Sequence, residues 1–170
     1  MGQGRRIDRR NLPYRRVVGI MLVNSQGQVW LGRRRPKWLP ADAPPVWQMP
    51  QGGIRRGESA RDAALRELKE ETGVRSVEIV GEIPDWLTWE LPDELIGVAL
   101  KGQYRGQRQR WLAMRFLGDD SEISLTPKGR KPEFDAWRWV HLDEVVDLVV
   151  PFRRPVYEAI IRAFGHLVQK

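Results

Sequence analysis

The chain has no cysteine among its 170 residues. That excludes disulfides, thiol nucleophiles and cysteine-ligated zinc. Histidine is nearly absent too, at two copies, so a histidine-rich metal centre has no donors. No apolar run approaches the roughly 18 residues that cross a membrane. The first ten residues are charged and lack the apolar segment of a secretion signal, so the cytoplasm is the expected compartment. Lysine is scarce: six copies, leaving arginine to supply 23 of the 29 basic residues in a chain of net charge +7. The planar arginine fork grips phosphate with two parallel hydrogen bonds. The excess points to a polyanionic partner, with a merely solvated basic surface as the plain alternative. Nothing in the sequence names a protein partner.

What is present suits an ordinary globular domain. The composition is 41% hydrophobic and 30% charged, and this length can bury a sizeable core. No repeat, low-complexity tract or linker interrupts it. Residues 1–13 read as a basic flexible arm, and 14–170 as a single domain. Val17 to Val23 and Gln28 to Leu31, around Asn24-Ser25-Gln26-Gly27, read as a hairpin. Four prolines between 36 and 46 mark a loop. A Gly-rich stretch, Pro50 to Gly57, leads into a helix over 59–72 that Gly73 stops. Strands are expected near 77–81, 86–91, 110–116 and 137–140. A short helix follows at 142–148 and a longer one at 154–168, its apolar residues spaced for one buried face. The irregular interleaving predicts an α/β (α+β) fold: a mixed sheet with helices on both faces.

The chemistry concentrates between Gly52 and Val74. Glu67, Glu70 and Glu71 stand at i, i+3 and i+4, so their carboxylates share one helical face. Glu58 precedes the helix and reaches the same region. Like charges packed together cost stability unless a cation neutralises them. An oxygen-only cluster suits Mg2+ or Mn2+ rather than zinc. Ala60, Ala64 and Leu68 form a separate apolar stripe. Arg66 is placed to bridge Asp62 and Glu70. A solvated helix with ordinary ion pairs would produce the same three glutamates.

The surroundings decide between these. Gly52, five residues, Glu58, seven residues, Arg66-Glu67-Leu68, one residue, Glu70-Glu71, one residue and Gly73-Val74 match the Nudix box at every fixed position. The chain therefore resembles the Nudix hydrolases. The resemblance implies an α/β/α sandwich with a central mixed sheet and a loop–helix–loop catalytic motif. It implies metal-dependent hydrolysis of phosphoanhydride bonds, with Mg2+ or Mn2+ as cofactor in more than one copy and no zinc. It makes Glu67, Glu70 and Glu71 metal ligands, joined by a backbone carbonyl near Gly52 or Gly53. Arg66 becomes the orienting arginine and Glu58 its supporting carboxylate. Gly52, Gly53 and Gly73 complete the motif's framework. Glu67 ranks ahead of Glu70 as the base.

Further segments resemble one branch, the RNA pyrophosphohydrolases and dinucleoside polyphosphate hydrolases: 13–20, 47–54, 86–92, 106–111, 132–139 and 151–154. The likeness spans about 12–167. It adds Glu133 as a further metal ligand or base, against the plain reading of an exposed loop carboxylate. Arg34, Arg108, Arg110 and Arg153 are candidates to hold phosphates. Phe152, Tyr104 and Trp89 are candidates to stack a base, although Leu87, Trp89 and Leu91 also read as one core-facing strand side. Trp47, Trp137 and Trp139 read as structural. The stretch Asp93 to Ile96 is acidic where the RNA-acting members are basic, and Trp86 to Trp89 also resembles the diadenosine tetraphosphate (Ap4A) hydrolases. Both a 5′-triphosphate RNA end and a dinucleoside polyphosphate are therefore expected substrates. A small-nucleotide or nucleotide-sugar pyrophosphatase is the alternative enzyme, and an RNA-binding module on an inactive Nudix scaffold the non-enzymatic one.

Overall fold

A computed structural model describes residues 7–126 and 129–168. The β-branched run expected near 17–23 becomes β1 (Tyr14–Val23). It is buried along its last seven residues because it lies mid-sheet. Its Asn24 side chain accepts the N–H groups of Gln26 and Gln28, and Gly27 takes the positive φ of 74° that the turn needs. The chain returns as β2 (Val29–Arg34). The expected hairpin closes at a single pair, Val23 with Val29. Beyond it the strands part. β3 (Val46–Gln48) pairs with β2, and β4 (Gln51–Gly53) with β1. This split opens the cleft described below.

Helix α1 (Ala60–Thr72) starts where Ser59 accepts the Asp62 N–H. It ends where Gly73 turns left-handed at φ 75°. The two strands expected at 77–81 and 86–91 form one, β5 (Val77–Glu90), with irregularities between Ile79 and Gly81 and between Ile83 and Leu87. Pro84 has no N–H for the ladder, and a local bulge tolerates it without ending the strand. β6 (Gly106–Phe116) starts earlier than expected and pairs parallel to β1 over ten residues. β7 (Ala136–Val140) flanks β2. Helix α2 (Val145–Leu148) is one turn, and α3 (Arg154–Phe164) stops before the predicted end, where the chain tightens into a 3-10 turn at 165–167.

The sheet runs β3-β2-β1-β6-β5, with β4 on β1 and β7 on β2. It is mixed, and helices cover both faces. One face packs Val18, Ile20, Leu112 and Met114 against Ala63, Ala64 and Leu68 of α1. The other packs Met21, Leu31, Met49 and Trp111 against Tyr157, Ile160 and Phe164 of α3. Strand alternation decides which residues face which helix. Of the expected N-terminal arm, residues 1–6 lie outside the described residues. The next few are tied down. Arg9 bonds the Leu91 carbonyl and pairs with Glu90 and Asp93, and Arg105 donates its N–H to the Pro13 carbonyl.

Candidate active site

The cleft lies where β3 and β4 diverge, under the C-terminal half of α1. It holds about 1600 Å³. Glu67, Glu70, Glu71 and Glu133 all line it, as do Arg34 and Arg153. The structure thus brings the distant Glu133 to the box carboxylates, close enough for its charge to raise the pKa of Glu71.

Arg66 organises the acidic face. Its Nε and Nη2 donate to the two Glu58 oxygens at 2.8 and 2.9 Å. Its Nη1 donates to Glu67 at 2.7 Å and Glu70 at 3.2 Å, and Nη2 also reaches the Gly53 carbonyl at 2.8 Å. Only a guanidinium fork can serve so many acceptors. The expected bridge to Asp62 is absent among the described residues. Glu58 takes that place because the loop before the helix brings it back over Arg66. The pairing with Arg66, helped by the Arg55 N–H, holds the Glu58 carboxyl down at about 2. Glu58 in turn raises the pKa of Arg66.

Gly52 explains itself through distance. A Cβ there would sit 2.0 Å from the Glu67 carboxyl carbon. The carboxylate rests directly on the glycine backbone. At Gly53 a Cβ would meet Arg15 at 3.0 Å, which a flexible side chain can relieve.

The three box glutamates, alike in sequence, occupy different environments. Glu70 is held by Arg66, Arg130 and Arg55. Burial pushes the Glu67 carboxyl above its usual range, against the pull of Arg66. Glu71 is almost wholly buried and accepts the Gln51 N–H at 3.2 Å. Burial raises its pKa well above normal, and the charges of Glu133 and Glu67 raise it further. A carboxylate kept in such a place is costly unless a cation joins it. The oxygen-only donor set fits a hard divalent cation in type and charge. Among the described residues no three acidic or histidine side chains already converge on one point. Arg66 and Arg130 draw Glu70 aside, and Glu71 leans on the Gln51 N–H.

Other expected positions fall differently. Arg34 reaches Glu133 at 3.2 Å and Gln48 at 3.4 Å. Arg153 is buried, donates to Gln48 at 3.0 Å and lies 4.8 Å from the Trp89 ring centre. Burial lowers its pKa to about 10, which leaves it charged at neutral pH. Its Nε and the Gln48 Nε2 have no partner among the described residues. Tyr104 and Trp47 line the cleft. Trp89 is core, 5% exposed. Phe152 packs between Trp38 and Trp89 at 5.8 and 5.3 Å and does not line the cleft, because the 3-10 turn at 151–153 aims it into the α3-side core. Arg108 and Arg110 stand on the opposite, α1-side face of the sheet. They share that face with Leu112, while Gln107 lines the cleft and Gln109 is buried on the same side as Gln107. Strand alternation puts them there. Trp137 and Trp139 pack against the α1-side core as expected.

Sequence reasoning missed a buried amide network. Gln51 donates to Gln107 at 3.3 Å, and Gln109 donates to Gln107 at 2.8 Å and to Gln51 at 3.3 Å. Gln107, Gln109 and Trp111 alternate along β6, a pattern that could have flagged them. Arg130, from a distant loop, carried no such signal.

An acidic helix face, clamped by one arginine and set over a glycine, within a cleft ringed by basic groups, defines a phosphate-processing site. A family model described as "NUDIX domain" matches residues 13–160. The chain belongs to the Nudix family and is a hydrolase acting on phosphoanhydride bonds. It is 50% identical to a Mesorhizobium japonicum protein called RNA pyrophosphohydrolase, over 99% of this chain and all of the relative. A Rhizobium meliloti protein of the same name is 53% identical over 94% of this chain and 98% of its own. Among solved structures, the Escherichia coli dihydroneopterin triphosphate pyrophosphohydrolase matches with TM-score 0.64 at 20% identity, over 88% of this chain and 97% of that one. A Caenorhabditis elegans Ap4A hydrolase matches with TM-score 0.64 at 17% identity, over 91% and 97%. These two likenesses show the fold. Nudix hydrolases generally use divalent metals. Among the described residues no helix is long and apolar enough to cross a membrane.

Proposed function

We propose that this protein removes pyrophosphate from the 5′-triphosphate end of RNA, in the cytoplasm. The observation that carries the reading is the shape and charge of the cleft. One wall is acidic, and the rest carries Arg34, Arg35, Lys37, Arg130 and Lys131. The volume exceeds what one mononucleotide needs. The names of relatives near 50% identity support the same substrate.

Glu67, Glu70, Glu71, Glu133 and the Gly52 carbonyl would hold Mg2+ or Mn2+, in more than one copy. Bound there, the cations neutralise phosphate oxygens, polarise phosphorus and acidify water. The chain's own residues do the rest. Arg66 fixes Glu67 and Glu70 in place. Glu67, seated against the Gly52 backbone, accepts the proton of the attacking water. The water oxygen bonds to phosphorus, the anhydride P–O bond breaks, and pyrophosphate leaves a 5′-monophosphate RNA. Arg34 and Arg153 bind phosphate oxygens. Tyr104, exposed to the cleft, stacks the first base.

The test incubates purified protein and Mg2+ with triphosphorylated RNA, Ap4A and a panel of small nucleotides and nucleotide sugars. The expected result is a higher kcat/KM for RNA than for the others. Cleavage of Ap4A alone would assign the dinucleoside reading favoured by the Trp86–Trp89 run. Cleavage of the small panel alone would sink both. Glu70→Gln should abolish turnover yet spare RNA binding, and full activity in that variant would remove Glu70 from the site.

A further inference from the structure

Arg108 and Arg110, displaced from the cleft, are not idle surface charge. With Arg16 they surround one indole. Their guanidinium carbons lie 6.0 Å (Arg16), 5.1 Å (Arg108) and 4.8 Å (Arg110) from the Trp86 ring centre. Arg16 and Arg108 are register neighbours on β1 and β6, and Thr88 of β5 continues the row. Leu112 and Met114 on the same side of β6 are covered by α1. Arg108 and Arg16, further along, are exposed, and Trp86 is half-buried.

Two features set this cluster apart from a solvated face. Among the described residues, no carboxylate lies within 4.0 Å of any of the three guanidiniums, including Asp85 beside Trp86. Three like charges therefore stand together uncompensated. The ring also holds them through cation–π attraction, which uses no N–H donor. Arg110 spends one donor on the Pro84 carbonyl; the side chains of Arg16 and Arg108 make no hydrogen bond among the described residues. The donors are fixed in place but still free, which suits phosphate.

The cluster is also joined to the active site. Arg16 lines a recess of about 490 Å³ together with Arg15, Gly53, Arg55, Arg66 and Glu67. A chain whose 5′ phosphates lie at the carboxylates can leave through this recess and meet Arg16, then Arg108 and Arg110.

We propose that the Trp86 platform, with Arg16, Arg108 and Arg110, is a second binding site that grips the phosphodiester backbone of single-stranded RNA downstream of its 5′ end. The proposal rests on the RNA reading above and deepens it. A dinucleoside polyphosphate has no such backbone to offer. The platform contributes affinity without sequence preference, since it reads phosphate and not base edges.

The test compares the wild type with an Arg108→Gln/Arg110→Gln double variant on two substrates, a triphosphorylated dinucleotide and a long triphosphorylated single strand. The expected outcome is a KM for the long strand raised about two- to thirtyfold, from two lost solvent-exposed charge contacts. The kcat stays unchanged, and so does the KM for the dinucleotide. The dependence of log(kcat/KM) on log salt should flatten by about 1.4, two phosphate contacts on a single strand. Equal effects on both substrates, or none on the long one, would overturn the proposal. Trp86→Leu should mimic the double variant, because the guanidiniums lose their support. If it loses its folded structure instead, the arginine variant alone decides. Anisotropy of fluorescent 5′-monophosphate RNA, without metal, separates the two readings. If the wild type cleaves no RNA, the proposed function fails. The platform still stands if salt-sensitive binding is present in the wild type and lost in the double variant, and it falls if both bind alike.

Discussion

Replacing Gly52 with alanine tests the heart of the site with one methyl group. The new Cβ would lie 2.0 Å from the Glu67 carboxyl carbon and 2.2 and 2.4 Å from its oxygens. Ordinary contact starts near 3.4 Å, so the carboxylate must retreat by about 1 Å or more. Gly52 is not among the glycines with positive φ, so alanine fits the backbone there. The obstacle is the end of a side chain that can move, not packed main chain. The stability cost should sit near the low end for overpacking, about 1 kcal/mol, or roughly 2–4 °C in Tm for a domain of this size. Catalysis should suffer far more. A misplacement of about 1 Å costs on the order of a hundredfold, and the 2.7 Å bond from Arg66 to Glu67 would be lost as well. The assay is kcat on triphosphorylated RNA with saturating Mg2+, alongside a thermal melt. Gly57→Ala supplies the opposite control. That glycine has φ +78° and nothing within 4 Å of its Cβ position. It should lose about 1–2 kcal/mol of stability through backbone strain, with kcat intact. If Gly52→Ala keeps more than about a third of wild-type kcat, far above the predicted hundredfold loss, then the placement of Glu67 on the Gly52 backbone does not govern catalysis.

Three further outcomes follow from the same geometry. Glu71→Gln removes the cost of burying an ionisable carboxyl while keeping the bond from the Gln51 N–H, so without metal it should raise Tm by several degrees at neutral pH and abolish turnover. Because the folded pKa of Glu71 is raised, the wild type is penalised only above the unfolded carboxyl pKa. The gap in Tm should therefore close as pH falls through that range, and a gap that is constant with pH would contradict it. Arg66→Lys loses the fork that serves Glu58, Glu67, Glu70 and the Gly53 carbonyl. It should lower kcat about tenfold or more and cost about 1–3 kcal/mol in denaturant unfolding. Glu133→Gln breaks a pair with Arg34 in which Glu133 is 41% exposed, so stability should change by less than about 1 kcal/mol. Its kcat should still fall at least tenfold, and unchanged kcat would return Glu133 to the status of a loop carboxylate.

The sequence alone determined what is local. Ser59 and Gly73 cap α1 because a hydroxyl acceptor and a left-handed glycine act within a few residues of themselves. The i, i+3, i+4 spacing put three carboxylates on one side of one helix, and the lack of cysteine and histidine left oxygen as their chemistry. Tertiary structure decided what those like residues became. Helical period tells which residues share a face, but not what faces them. Burial against Gln51 made Glu71 the high-pKa carboxyl, while Arg130 from a distant loop claimed Glu70. The fold brought Glu133 to the site from over sixty positions away in sequence, turned Phe152 into the core and set Arg108 and Arg110 on the far face of the sheet. Side-chain alternation already separated Arg108 from Gln107, but only the covering of one face by α1 and the opening of the cleft on the other gave that alternation its meaning. Contacts between residues far apart in the chain depend on how elements pack, and no local pattern records that.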